Sequence, residues 1–185
     1  QAHLFTLPVK NASSFMLIRD MELEPQLFGK WRDKFLRLVA QAYSRAPQLA
    51  AILAMLDDVM GKPHNRLTDL LLEGIRSSMG HMGLRTELVT SSTIYQNSHL
   101  AGQERILDIC AQEGARCYVN AIGGKDLYQH DAFAARGIAL SFVRGRLPEY
   151  KQGKAPFVPG LSVLDVMMFV PQDELSTMLQ AYDLE

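Results

Sequence analysis

The back half of this chain alternates between segments of strand character and segments of helix character, and that alternation restricts its fold more than any other feature. Leu84 to Thr90 alternates apolar and polar residues and predicts a strand, Gln103–Glu113 predicts a helix, and Arg116–Ala121 predicts a second strand. A short helix near Asp131–Ala135 and a third strand over Ile138–Val143 complete a β-α-β-α-β series. Connections of helical length imply parallel strands joined by right-handed crossovers. The fold class that follows is α/β, a mixed sheet with a parallel portion and flanking helices. The loops after Thr90 and Ala121 should then leave one edge of the sheet, where open α/β sheets bind their ligands.

The centre of the series is Cys117-Tyr-Val-Asn-Ala-Ile-Gly-Gly-Lys-Asp-Leu-Tyr128, an apolar strand that runs into two glycines before a helix start. A loop of this kind exposes backbone N–H groups to a ligand. Gly123, Gly124 and Lys125 lack the rest of a Walker loop. They suit a phosphate, with the Lys125 ammonium behind the amides; the alternative is a plain turn with a solvated lysine.

The front half is mostly helical. Leu4 to Val9 predicts a strand that Pro8, which cannot donate to a ladder, confines to an edge or ends, and Phe15 to Leu23 predicts its hairpin partner. Leu27, Phe28, Trp31, Phe35, Leu38, Val39 and Ala42 recur at helical spacing, and Trp31 reads as a core anchor. A second helix opens near Pro47 and stops at Gly61, and Asn65 reads as the N-cap of a third. Arg144 to Gly160 has no periodicity and reads as a long surface loop. Ser162-Val-Leu-Asp165 fits a capping box with Asp in the acidic place and opens a helix through Phe169. Pro171 starts a last helix with the stripe Leu175, Met178, Leu179 and Tyr182.

With 185 residues, 48% apolar and 21% charged, the chain is long enough to bury a core. A net charge of −1 argues against a general attraction to DNA or to anionic membrane, and no apolar run approaches the roughly 18 residues needed to cross a bilayer. Cys110 and Cys117 are too few for a disulfide framework and read as buried thiols, so the expected compartment is the cytoplasm. The five histidines, at 3, 64, 81, 99 and 130, are scattered without metal-ligand spacing, and neither a metal nor a cofactor is expected.

Further polar residues stand at the ends of the predicted elements. Ser91 and Ser92 end a strand and offer hydroxyls, or simply cap a turn. Tyr150 and Gln152 lie in an irregular loop where packing does not obviously require them, and suit a polar, sugar-like ligand. Ser91, Asn120, Tyr150, Gln152 and Asp165 are expected to meet in one cleft. Lys125, Arg144, Arg146, Lys151 and Lys154 either set up a positive field for a diphosphate there or point to solvent.

In order and spacing, these pieces resemble the WbqC-like family of bacterial polysaccharide-biosynthesis proteins. The matching residues are Leu7-Pro8-Val9, Trp31, Tyr43, Ser91-Ser92, Glu104-Arg105-Ile106-Leu107 and Tyr118-Val-Asn-Ala-Ile-Gly-Gly124. They continue with Leu127-Tyr128, Phe133, Gly137-Ile138, Tyr150-Lys-Gln152, Phe157-Val-Pro159 and Leu161-Ser-Val-Leu-Asp165. The resemblance implies a single domain over 1–185, and an upstream segment with His-Gln-Pro-like and Pro-Trp-like elements that this chain is expected to lack. It further implies modification of a nucleotide-linked amino sugar by acyl or aminoacyl transfer in O-antigen and related glycan assembly. On this reading Asn120, Asp165 and Ser91 are catalytic, and Ser92, Gly123, Gly124, Lys125, Tyr128, Tyr150, Gln152 and Ser162 bind substrate. The partners are a sugar nucleotide and an acyl or aminoacyl donor, with a homodimer left open. The alternative is a non-catalytic sugar-nucleotide binding or scaffold subunit.

Overall fold

The computed structural model describes residues 4–154 and 156–185; His3, one of the five histidines, lies outside them. The chain divides into two compact units, one formed by Gln1–Thr86 with Glu149–Thr177, the other by Glu87–Pro148 with Met178–Glu185.

The first unit is helical. Helices α1 (Pro25–Ala42), α2 (Leu49–Gly61) and α3 (Leu67–His81) follow one another, and α6 (Val163–Phe169) and α7 (Gln172–Met178) return to them late in the chain. Pro25 opens α1 at the position where a missing N–H costs nothing. The core is Leu23, Val39, Ile52, Val59, Met167, Met168 and Leu175, each 5% exposed or less. The expected N-terminal hairpin is reduced to one antiparallel bridge, Val9 to Leu23, with a second between Glu22 and Arg66. A 3₁₀ turn at Ile18–Asp20 breaks the second strand, and Phe15, Leu17 and Ile18 are exposed, so no apolar face exists to hold a ladder. The cap of α3 also falls one residue later than expected. Arg66 is the N-cap, the Asp69 carboxylate accepts its backbone N–H at 3.1 Å, and the Asn65 carbonyl instead accepts from Leu23 N.

The second unit carries the sheet. Strand β1 (Cys117–Ala121) pairs in parallel with β2 (Ala139–Gly145), Cys117 opposite Ala139 and Ala121 opposite Val143. Helix α4 (Gly102–Gln112) precedes β1, and a 3₁₀ turn over Ile122–Leu127 with α5 (His130–Ala134) forms the crossover. Leu107, Cys110, Phe133, Ile138, Leu140 and Phe142 form the core beneath. The protein is thus α/β with a small mixed sheet of three strands, β2 in the middle, as its alternation predicts.

Two expected elements differ. Leu84 to Thr90 has no regular secondary structure and pairs with no strand, and Leu84 and Val89 stay exposed. The division between the two units falls inside it. The third strand is instead β3 (Tyr182–Leu184), antiparallel to β2 with Leu184 opposite Val143. Tyr182 therefore leaves the helical stripe expected of it: α7 stops at Met178, and the free edge of β2 supplies hydrogen-bond partners that a further helical turn would leave unused. Cys117 is exposed rather than buried, and Cys110 is buried as expected.

Candidate functional site

In the first unit a groove of about 760 Å³ runs along the C-terminal half of α1 and the start of α6. Its walls include Phe5, Phe35, Leu38, Tyr43, Leu161 and Ser162, and its size is ordinary for a small-molecule site, roughly 300–1,000 Å³. Tyr43 follows α1 directly and packs on α6, its ring 6.0 Å from that of Phe169. A backbone hydrogen bond from Gln48 N to Met168 O, 3.1 Å, ties the segment after α1 to α6.

Next to Tyr43 lies Asp165, only 4% exposed. Its position follows from a half-formed cap. Ser162 Oγ accepts from Leu164 N at 3.2 Å, as an N-cap should, but the Asp165 carboxylate does not return to the Ser162 backbone. It turns to the loop before α6, where Tyr150 Oη donates to Oδ1 at 2.6 Å and Gln152 Nε2 donates to the same oxygen at 3.1 Å. Gln152 also donates to the Val158 carbonyl at 3.0 Å and accepts from Val158 N at 2.8 Å, closing the loop on itself. Tyr150 is braced by Phe157, with ring centroids 5.3 Å apart.

Among the described residues no lysine, arginine or histidine pairs with Asp165. A buried carboxylate held only by neutral donors is costly in the absence of a cation. Its charge acts on its neighbours. Burial pushes the Tyr43 hydroxyl up to about 12, and the charge of the nearby Asp165 carboxylate adds to this. Tyr150 is likewise raised, first by burial and then by its bond to Asp165. Both phenols therefore stay protonated at neutral pH, and Tyr150 is the one that donates to the carboxylate.

Of the residues expected to meet in one cleft, Tyr150, Gln152 and Asp165 form this cluster, and Ser162 shares its helix start. Ser91 and Asn120 belong to the second unit and serve local structure there. Ser91 Oγ accepts from Thr93 N at 3.3 Å and caps the 3₁₀ turn Ser92–Tyr95. Ser92 Oγ accepts from Arg105 Nη2 at 3.1 Å. Asn120 Nδ2 donates to Tyr118 Oη at 2.8 Å and Tyr128 Oη at 3.2 Å, and its Oδ1 accepts from Ala121 N at 2.7 Å. Gly124 passes so close that an added Cβ would lie 3.2 Å from Asn120 Oδ1. That approach explains the second glycine by packing alone; Gly123 has no such neighbour.

Lys125 pairs with Glu185 at 3.1 Å, Arg144 with the same carboxylate at 2.6 Å, and Arg146 with Asp183 at 3.1 Å. Three of the five cations expected either to face a diphosphate or to point to solvent thus have anionic partners on or beside β3. The pairs are exposed and hold little energy individually.

Two features escape the sequence. Asn97 is 3% exposed, donates to Asp108 Oδ2 at 2.7 Å and accepts from Arg105 Nε at 3.1 Å, so Arg105 clamps the 92–97 segment onto α4. Tyr43 lies at a helix end, outside the apolar stripe that stops at Ala42, and only the groove shows that it lines an open surface. A second, apolar groove of about 510 Å³ lies along α2, α3 and α6, with Met55, Met60, Met79, Met82 and Met167 in its walls. Among the described residues no helix is long and apolar enough to cross a membrane, and no group of His, Cys, Asp and Glu is placed to hold a metal ion.

Fold and groove together define an α/β protein with a small-molecule-sized cleft beside a buried carboxylate that no cation among the described residues pairs. The WbqC-like protein family model matches residues 1–177, nearly the whole chain, and the chain belongs to that family. No curated protein matches the chain, and no solved structure does.

Proposed function

We propose that this protein modifies an activated amino sugar during bacterial surface-polysaccharide assembly, transferring an acyl or aminoacyl group from a donor to the amino group of a sugar nucleotide. On this reading it works in the cytoplasm, where sugar nucleotides are made. The observation that carries the reading is Asp165, buried, unpaired with any cation among the described residues, and adjacent to a groove of ligand size. Acyl transfer forms a carbon–nitrogen bond, breaks the bond from the acyl carbon to its leaving group, and sheds one amine proton. Asp165 is the acceptor suited to that proton, reached through the Tyr43 hydroxyl. The aromatic walls Phe5, Phe35 and Tyr43 suit the apolar face of a sugar ring.

A second reading has one observation in its favour. Tyr150 and Gln152 already satisfy each other, Asp165 and Val158, so the cluster is complete as structure. A non-catalytic sugar-nucleotide subunit would need no more. The test is a panel of nucleotide-sugars and acyl donors, read by thermal shift and by donor consumption. Ligand binding to the folded chain raises its melting point with saturation. Donor turnover that depends on an amino sugar and is lost in Asp165→Asn supports transfer. Binding without turnover supports the second reading, and no shift with any nucleotide-sugar contradicts both.

A further inference from the structure

We propose that the apolar groove along α2, α3 and α6 is a second binding site, for a linear apolar chain. Only the identity of that chain rests on the transfer reading, on which it is the acyl group of the donor. The composition of the groove, the size of its exposed rim and its continuity with the Tyr43 groove each point to such an occupant.

Among the described residues no charged side chain lines this groove, and Ser78 and Ser162 are its only hydroxyls. A charged or strongly polar ligand would lose its water there without gaining partners. The volume, about 510 Å³, is that of a small-molecule site. Met55, Met60, Met79 and Met82 stand in the walls. Methionine is unbranched and flexible, so these side chains re-pack around a ligand that has no fixed shape of its own. Gly74 keeps the α3 wall open, since a Cβ there meets nothing within 4 Å.

The rim argues for a chain over a partner protein. Of the groove's walls, Leu71, Ile75 and Val163 alone are large apolar side chains left exposed, at 47%, 49% and 45%. A standard protein interface engages roughly 20–30 residues a side, so three half-exposed ones describe a slot rather than a docking face. The slot also leads somewhere. Ser162 and Leu164 line both this groove and the Tyr43 groove, so the two meet at the start of α6. Ser162 Oγ accepts from Leu164 N and keeps its own hydrogen to donate. A thioester whose chain lies along α3 therefore presents its carbonyl at Ser162, on the border of the groove beside Asp165. Apolar tail and polar acceptor then occupy adjoining grooves of one unit.

The test titrates the full chain, isotope-labelled at its methionine methyls, with the butanoyl, hexanoyl and octanoyl thioesters of N-acetylcysteamine. Affinity should rise about threefold for each added methylene, because every one buried removes apolar surface from water. The methyl resonances of Met55, Met79 and Met82 should move, while those of Met16 and Met178, which do not line the groove, stay. Gly74→Leu, which fills the slot, should flatten the series to within about twofold with the melting transition still cooperative. If that variant does not fold, the methionine shifts of the wild type decide. Octanoyl binding with these shifts, but no consumption of the thioester beside an amino-sugar nucleotide, supports the groove while contradicting the transfer reading. Consumption of the thioesters with the groove methionines silent leaves transfer standing and overturns the groove. An affinity independent of chain length, no binding at all, or a dimer whose dissociation alone moves the same methyls overturns it as well.

Discussion

Single residues in this protein are best understood by the partner each one satisfies. Tyr150 is a donor to a carboxylate that has no cation among the described residues. Tyr150→Phe should therefore cost about 1–3 kcal/mol in urea unfolding, the range for a buried group stripped of a partner. A cost near zero would mean that solvent replaces the phenol. Gly124 faces a tighter constraint. A methyl there meets Asn120 Oδ1 at 3.2 Å, so Gly124→Ala should displace the Asn120 amide from Tyr118 and Tyr128, seen as shifted side-chain amide resonances. Unmoved resonances would show that the loop gives way instead. The roles of Tyr150, Gln152 and Asp165 were half visible in the sequence: polar residues in an unpatterned loop signal a purpose, and a box of Ser and Asp signals a cap. That Asp165 leaves the cap for Tyr150 depends on a tertiary contact that no local pattern encodes.

At the scale of elements, hydrophobic period was a good guide wherever one face was buried. The helices α1, α2 and α4 and the parallel pair β1 and β2 stand where spacing of Val39, Ile52, Leu107 or Phe142 puts them. It misled where alternation had no core beneath it, as at Leu84 to Thr90, and where a free strand edge outcompeted a helical stripe, as at Tyr182. Two substitutions probe elements directly. Gly74 sits inside α3 on the wall of the apolar groove, and a Cβ there meets nothing within 4 Å. Gly74→Ala should stabilise by about 0.5–1 kcal/mol, because glycine in a helix interior costs that much relative to alanine. Destabilisation would mean that the groove is filled in solution. Arg105→Ala strips one partner from the buried Asn97 and should speed hydrogen exchange in the 92–97 segment well before it affects β1 and β2.

For the whole molecule, two tyrosines connect stability to pH. Tyr43 in the first unit and Tyr118 in the second are both pushed up to about 12, burial being the largest cause in each. The unfolded chain loses these protons near pH 10 while the folded chain keeps them. Their contribution is complete below about pH 10 and disappears as pH rises through 12. The melting temperature should fall across that window, and less steeply in a Tyr43→Phe, Tyr118→Phe double variant; equal slopes would show that neither phenol is protected. The central claim, that ligand enters the groove beside Tyr43 and Asp165, is tested most directly by backbone amide shift mapping during titration with an amino-sugar nucleotide. The account predicts that the largest shifts fall on Phe35, Tyr43, Ser162 and Asp165. Largest shifts at Gly123, Gly124 and Lys125, with the groove silent, would contradict it.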